Sequence, residues 1–283
     1  MHIVSKTIDL KKILLSNKNE KKTIGLVPTM GSLHEGHLSL IKYAEKNCDE
    51  VWVSIFVNPA QFNEYDDYLS YPKDKKNDIE KVNSISQNIN IYVPESDKEV
   101  YKNNIKVEKF NFGIIDKVME GTHRPGHFNG VATVLKKLFQ IFEPNHVFFG
   151  EKDYQQTLIV RKLIDNLFPK INLKVCPTIR NKNGLALSSR NNNLSKKYQK
   201  ICGVIFESLL LAKENYGKIS YLDLNKTIKT KIEKSSSLEL EYFEIRNEKN
   251  LEPFTQIDKT IRYRAFICVR AKGVRLIDNL LLT

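Results

Sequence analysis

No apolar run in this chain of 283 residues approaches the roughly 20 residues that cross a bilayer. The opening MHIVSKTIDLKK also lacks the apolar core of a secretory signal, so the expected location is cytoplasmic, with no membrane partner. Cysteine is scarce too. Cys48, Cys176, Cys202 and Cys268 stand far apart with no Cys-x-x-Cys pair, which argues against a zinc site and a redox dithiol. They read as small hydrophobes in a reducing compartment. Internal repeats and low-complexity linkers are missing as well. Charge is plentiful and unbalanced, with 45 basic against 33 acidic residues and a net +12. The basic residues are dispersed, however, and the small clusters Lys73-Asp74-Lys75-Lys76 and Lys196-Lys197 come without an RNP-like aromatic motif. Lys, Asn and Ile are abundant throughout, so the charge reads as compositional drift and no nucleic-acid partner is expected.

What is present is a globular composition, 41% hydrophobic and 28% charged, in a chain long enough for one large or two modest domains. Strand-like and helix-like runs alternate over the first two-thirds. Thr23 to Val27, Val51 to Val57, Ile89 to Val93, His146 to Phe149 and Leu173 to Cys176 read as strands, each closed by Pro, Asn-Pro or Gly. Helical spacing covers Gly130 to Phe142 and Tyr154 to Leu167. This alternation predicts an α/β fold with a Rossmann-like, doubly wound parallel sheet over residues 1–180. Near residue 180 the pattern changes at the turn Asn181-Lys182-Asn183-Gly184. A long helix from about Ser195 to Asn215, a second from about Ser220 to Ser235, and strands Leu238 to Arg246 and Thr260 to Arg270 predict a smaller C-terminal α+β domain over 181–283.

The most informative segment follows the first long strand: Pro28-Thr29-Met30-Gly31-Ser32-Leu33-His34-Glu35-Gly36-His37. Leu38, Leu40, Ile41, Tyr43 and Ala44 recur at helical spacing after it, so a helix starts between Ser32 and Gly36. His34 and His37, at i and i+3, then share a face of its first turn, where unpaired amides and the positive end of the helix dipole suit phosphate. Two imidazoles there can donate hydrogen bonds to charge building on a phosphoryl group. The alternatives are a metal pair, which lacks further ligands and the usual i, i+4 spacing, and a solvated helix end.

Other polar groups follow the other strands, where ligands of such sheets gather. Asn58 and Gln61 lie in Asn58-Pro59-Ala60-Gln61-Phe62. Gly150-Glu151-Lys152-Asp153-Tyr154-Gln155-Gln156 offers a cation for phosphate in Lys152, a ribose ligand or helix cap in Asp153, and two neutral amides for a small polar substrate. Ser188-Ser189-Arg190 pairs hydroxyls with a guanidinium, which suits a triphosphate as well as a capping loop. Arg124-Pro125-Gly126-His127-Phe128-Asn129-Gly130 reads as a turn docking the next helix, with Arg124 facing the site. Asp66-Asp67, Asp74 and Asp78 are either ligands for hydrated Mg²⁺ or solvated surface.

Together these segments resemble the pantoate–β-alanine ligase family. The stretches that carry the likeness are Val27 to Gly31 with His34-Glu35-Gly36-His37, VSIFVNPAQF (53–62), RPGHFNG (124–130), GEKDYQQ (150–156), GLALSSRN (184–191) and RLIDN (275–279). The resemblance implies a nucleotidylyltransferase-superfamily domain, a smaller C-terminal domain with a lid or dimer-associated role, and a homodimer. It also implies a reaction in which pantoate and ATP give pantoyl adenylate and pyrophosphate, and β-alanine then gives pantothenate and AMP. Carried over by position, Met30, Gly31, Ser32, Leu33, His34, Glu35, Gly36 and His37 line the ATP site, with His37 as proton donor and His34 and Lys152 beside it in catalysis. Gly150, Glu151, Lys152, Asp153, Ile179, Leu187, Ser188, Ser189 and Arg190 also bind ATP. Gln61 holds pantoate and β-alanine, and Gln156 holds pantoate; Arg124, read from its turn as facing the site, is a candidate for a further substrate contact. Mg²⁺ accompanies ATP through unknown ligands. Asn183 departs from the Asp general in the family, and the C-terminal part matches weakly apart from RLIDN.

Two other classes stay in view. Another nucleotidylyltransferase with the same histidine pair would adenylylate a different metabolite, although two glutamine-bearing motifs favour a substrate without phosphate. A class I aminoacyl-tRNA synthetase would carry a Lys-Met-Ser-Lys-Ser motif, which is missing.

Overall fold

The β-branched, apolar runs of the first two-thirds become strands of one six-stranded parallel sheet: β1 (Ile3–Val4), β2 (Ile24–Thr29), β3 (Glu50–Ile55), β4 (Asn90–Tyr92), β5 (His146–Gly150) and β6 (Asn172–Cys176). Their order is β1-β4-β3-β2-β5-β6. The computed structural model describes residues 1–18, 21–63, 68–69, 71–256 and 258–283. Contacts divide the chain into one unit of Met1–Glu151 with Gln155–Pro177, and a second of Lys152–Tyr154 with Thr178–Thr283.

In the first unit the connections are helical. They include α1 (Thr7–Lys18), α2 (Glu35–Glu45), α3 (Lys75–Asn83), α4 (Asp97–Tyr101), α5 (Glu120–His123), α6 (His127–Phe142) and α7 (Tyr154–Leu167). Leu38, Leu40, Ile41 and Ala44 form the buried stripe of α2 and pack with Val27, Val53, Ile91 and Phe148 of the sheet. From β2 the chain builds outward through β3 and β4 on one side and through β5 and β6 on the other. The carboxyl ends of β2 and β5 therefore flank the topological switch point, where open α/β sheets bind ligands. The segments leaving those ends are the Met30–His37 loop and Gly150-Glu151.

Two sequence expectations need correction here. The first long strand does not end at Pro28 but runs to Thr29, with Pro28 opposite Ser54 of β3. A proline is tolerated because β2 pairs with β5 only through Gly25 and Leu26, so beyond them the strand has a ladder on its β3 side alone. The long helix of 195–215 is two helices, α8 (Lys196–Ile201) and α9 (Val204–Asn215). The break at Cys202-Gly203 is where the backbone meets the Asn183 carbonyl; a Cβ on Gly203 would lie 2.2 Å from that oxygen.

The second unit adds α10 (Tyr221–Glu233) and a three-stranded antiparallel sheet of β7 (Leu238–Asn247), β8 (Tyr263–Ala271) and β9 (Val274–Leu281). Ile205, Leu209, Leu224, Ile228 and Ile232 from α9 and α10 pack with Phe243, Ile245, Ala265, Ile267 and Val269. The third strand, β9, carries the RLIDN segment, which sequence periodicity alone leaves without an element. Among the described residues no helix is long and apolar enough to cross a membrane.

Candidate active site

The loop after β2 is held from below by one carboxylate. Gly31 and Ser32 take left-handed backbone angles, φ +83° and +51°, so successive amides turn inward. Asp78 of α3, only 1% exposed, accepts from Ser32 N at 2.8 Å and from Leu33 N at 2.7 Å. Lys81, one turn further along α3, donates to the Leu33 carbonyl at 2.6 Å. A Cβ at Gly31 would fall 2.9 Å from the Asp78 carboxylate, so the tight turn and the close anchor both require glycine. Burial pushes the Asp78 carboxyl above its ordinary value, and the amides of Leu33 and Ser32 and the charge of Lys81 pull in the opposite direction.

This corrects the reading of Asp78 as a solvated residue or Mg²⁺ ligand, since both oxygens are engaged by backbone. Asp74 caps α3 by accepting from Asn77 N at 3.1 Å, and Asp66-Asp67 lie outside the described residues. The sequence did contain a signal for Asp78: it shares a helix face with the fully buried Val82 four residues on, a charge set in an apolar stripe. Substituting Asp78→Ala leaves two buried amides without an acceptor, at about 1–3 kcal/mol each before relaxation. The expected result is a loss of about 2 kcal/mol in urea unfolding, together with weakened nucleotide turnover.

With the loop fixed, α2 starts at Glu35 and His34 is its N-cap. His34 Nδ1 accepts from Gly36 N at 3.1 Å, and His37 Nδ1 accepts from His34 N at 3.3 Å. A ring nitrogen that accepts an amide proton carries none itself, so each neutral imidazole holds its proton on Nε2. The two ring centroids are 4.1 Å apart. The helix start thus presents two Nε2–H donors side by side at the switch point.

The second cluster is built round Asn58, 1% exposed after β3. Its Nδ2 donates to Gln61 Oε1 at 3.1 Å and to the Gly130 carbonyl at 3.3 Å, and its Oδ1 accepts from Ala60 N at 3.2 Å and Tyr101 Oη at 2.5 Å. Burial pushes the Tyr101 phenol well above its ordinary value, which keeps it a donor. Gln61 in turn donates to Met30 Sδ at 2.8 Å, joining this cluster to the histidine loop. From α6, His127 Nδ1 lies 2.7 Å from the Gln61 carbonyl, while Arg124 reaches His127 Nε2 at 3.0 Å and the same carbonyl at 3.4 Å. RPGHFNG is therefore a clamp on the Gln61 backbone, and Arg124 belongs to that clamp. Asn58, read from the sequence among the polar groups at the strand ends, is a structural partner here, as are His127 of the docking turn and Tyr101, which no motif singled out.

The adjacent amides after β5 have different environments. Gln155, 5% exposed, accepts from Glu120 N at 3.2 Å and donates to the Ile115 and Val118 carbonyls at 2.7 and 2.8 Å. Its bonding capacity is used by backbone, which removes it from the two amides read as substrate ligands. Gln156 is half-buried, and its amide has no hydrogen-bond partner among the described residues.

In the second unit, Lys152 Nζ is 3.1 Å from Asp153 Oδ1. Leu187 N donates to the Ile179 carbonyl at 2.9 Å, closing a hairpin whose end leads into Ser188-Ser189-Arg190. Ser188 Oγ caps the following 3₁₀ turn by accepting from Arg190 N at 3.3 Å. Among the described residues no group of three or more His, Cys, Asp or Glu is arranged to hold a metal ion.

A doubly wound parallel sheet with paired imidazole donors at the helix start of its switch point defines a Rossmann-like nucleotide-dependent enzyme. The model of the family described as pantoate-beta-alanine ligase matches residues 2–281. Pantothenate synthetase of Flavobacterium psychrophilum is 43% identical over 282 residues, 99% of each chain, and that of Christiangramia forsetii is 43% identical over 265 residues, 94% of this chain and 93% of the relative. Among solved structures, pantothenate synthetase from Thermus thermophilus superposes with a TM-score of 0.90 at 33% identity, covering 100% of this chain and 99% of that one. Pantoate-beta-alanine ligase from Francisella tularensis, complexed with beta-gamma ATP and beta-alanine, gives 0.80 at 36% identity, covering 100% and 98%. The chain belongs to the pantoate–β-alanine ligase family.

Proposed function

We propose that this ligase joins pantoate to β-alanine in two steps, with ATP as the activating substrate. A free carboxylate is a poor acyl donor, because its leaving group would be oxide. The pantoate carboxylate instead attacks the α-phosphorus of ATP and releases pyrophosphate; the β-alanine amine then attacks the acyl carbon and AMP leaves. The observation that carries this reading is the pair of Nε2–H donors at the start of α2, in a chain that the family model matches almost end to end.

Attack on the α-phosphorus builds charge on its oxygens, and fixed donors oppose that charge at no cost in reorganisation. His34 and His37 supply two such donors, on the backbone cradle of Met30, Gly31, Ser32, Leu33, Glu35 and Gly36. Gly150, Glu151, Lys152, Asp153, Ile179, Leu187, Ser188, Ser189 and Arg190 complete the ATP-binding set, with Lys152 as a point charge and Arg190 as a planar clamp. Gln61 holds pantoate and β-alanine through its amide, Gln156 holds pantoate, and Arg124 acts by fixing the Gln61 backbone. Mg²⁺ accompanies ATP on its phosphates, as a small cation that keeps several waters and takes few protein ligands. The working form is a homodimer in the cytoplasm.

Pyrophosphate exchange into ATP tests the order of steps. Exchange is expected when pantoate is present, whether or not β-alanine is added. Exchange with another acid and none with pantoate would overturn the substrate assignment.

A further inference from the structure

The Lys152 backbone is tied to a buried polar network on β9 whose purpose hydrophobic packing does not explain. Asn279, 4% exposed, donates from Nδ2 to the Lys152 carbonyl at 2.9 Å. Its Oδ1 accepts from Arg264 Nη1 at 2.5 Å. Arg264, 3% exposed, lays its guanidinium 4.0 Å over the ring of Tyr154 and bonds Glu248 at 3.1 Å. One amide–guanidinium pair therefore fixes both the carbonyl of Lys152 and the ring two residues after it.

The neighbouring residue treats the other proposed ATP segment in the same way. Asp278 accepts from both terminal nitrogens of Arg180, and its Oδ1 also accepts from Asn279 N at 2.8 Å. Arg180 donates to the Gly184 carbonyl at 3.1 Å and stacks 3.7 Å from the Phe206 ring centre, bracing the hairpin that leads into Ser188-Ser189-Arg190. Stability alone does not call for such groups. Replacing a buried ionic cluster by well-packed apolar side chains is often neutral or stabilising. An amide does what an apolar side chain cannot: it sets the direction of a carbonyl, and with it the stem from which the Lys152 ammonium projects.

We propose that Asn279 is the positioning residue for Lys152, with Arg264 orienting its amide. The inference rests on the reading of Lys152 as a phosphate-binding cation. In Asn279→Asp the second oxygen faces the Lys152 carbonyl and repels it, while the first still accepts from Arg264. Displacing a catalytic group by a fraction of an ångström costs rate, and a full ångström as much as about 10²-fold.

The test compares N279D, K152A and the double variant in two assays: pantoate-dependent exchange at saturating ATP, and β-alanine attack on preformed pantoyl adenylate. K152A is expected to lose about 10²-fold in exchange. N279D is expected to lose about tenfold there, in kcat rather than KM, with adenylate consumption unchanged. In the K152A background it should add less than about twofold, because its effect runs through the missing ammonium. An undiminished tenfold loss in that background, an equal loss in both assays, or no loss while K152A is impaired would overturn the proposal alone. K152A with full exchange would overturn the reading of Lys152 beneath it. Should N279D not fold, Asn279→Ser keeps a small polar group beside Arg264 without reaching the carbonyl, and the same outcomes apply. Failure of both variants to fold would assign Asn279 to stability and overturn its positioning role.

Discussion

Substituting His37→Asn is expected to slow adenylate formation by about 10²- to 10³-fold while leaving β-alanine attack on preformed pantoyl adenylate close to normal. The geometry dictates the choice of variant. His37 Nδ1 accepts the amide of His34 and so helps to fix the N-terminus of α2. An Asn oxygen stands near where Nδ1 was and keeps that bond; what is lost is Nε2–H. The change therefore removes the donor proposed to face phosphate without removing the cap, and losing one preorganised donor to a developing charge costs that range. His37→Gln reverses the exchange, since its amide reaches the Nε2 position and gives up the cap. If His37 acts by hydrogen bonding, Gln recovers much of the rate that Asn loses. If it transfers a proton, Gln is as slow as Asn, because a carboxamide has no proton to give at neutral pH. Single-turnover adenylation with rapid quench separates these outcomes. Normal adenylation in H37N would remove His37 from the chemistry altogether.

Local signals made the scaffold of this site readable. Except at Pro28, which lies inside β2, the Pro, Asn-Pro and Gly residues fall at or within a few residues of the carboxyl ends of the parallel strands, and the stripe of Leu38, Ile41 and Ala44 marked the inner face of α2. The i, i+3 spacing brought the two imidazoles together, though as the N-cap and third residue of a capping box, with His34 extended ahead of the helix. Which nitrogen each imidazole presents was not readable, because it depends on amides whose directions follow from the left-handed pair Gly31-Ser32. Asp78 was misread for a related reason. Its partners are 45 and 46 residues away, and a carboxylate in a Lys- and Asp-rich stretch looks solvated until the apolar neighbours on its own face are counted. The adjacent amides Gln155 and Gln156 are chemically identical in sequence; only the α7 surface each occupies sends one to backbone carbonyls and leaves the other unbonded. RLIDN was visible as a motif and silent as to role, since its contacts are to Arg180, Arg264 and Lys152 across the chain.

The Gly130→Ala variant should be among the most damaging single-methyl additions in the chain, although helix propensity predicts the opposite. Gly130 lies within α6, where alanine is favoured over glycine by about 1 kcal/mol. Its α-carbon, however, faces the Pro59–Gln61 turn, and a Cβ there would lie 2.0 Å from the Ala60 carbonyl oxygen, 2.6 Å from its carbon and 2.8 Å from the Gln61 α-carbon. These are backbone atoms, so no rotamer change relieves the overlap. Either α6 or the turn must move. The Asn58 bond to the Gly130 carbonyl and the His127 contact to the Gln61 carbonyl span that same interface, so movement breaks polar contacts as well as packing. Overpacking costs about 1–3 kcal/mol when side chains can yield and more when they cannot. Set against a gain of about 1 kcal/mol, the net expectation is a loss of at least about 2 kcal/mol, read from thermal or urea unfolding. Whatever protein folds should carry a displaced Gln61, with KM for pantoate raised more than KM for ATP. A G130A protein as stable as the parent, with unaltered pantoate saturation, would mean that the helix and the turn do not meet as closely as this packing requires.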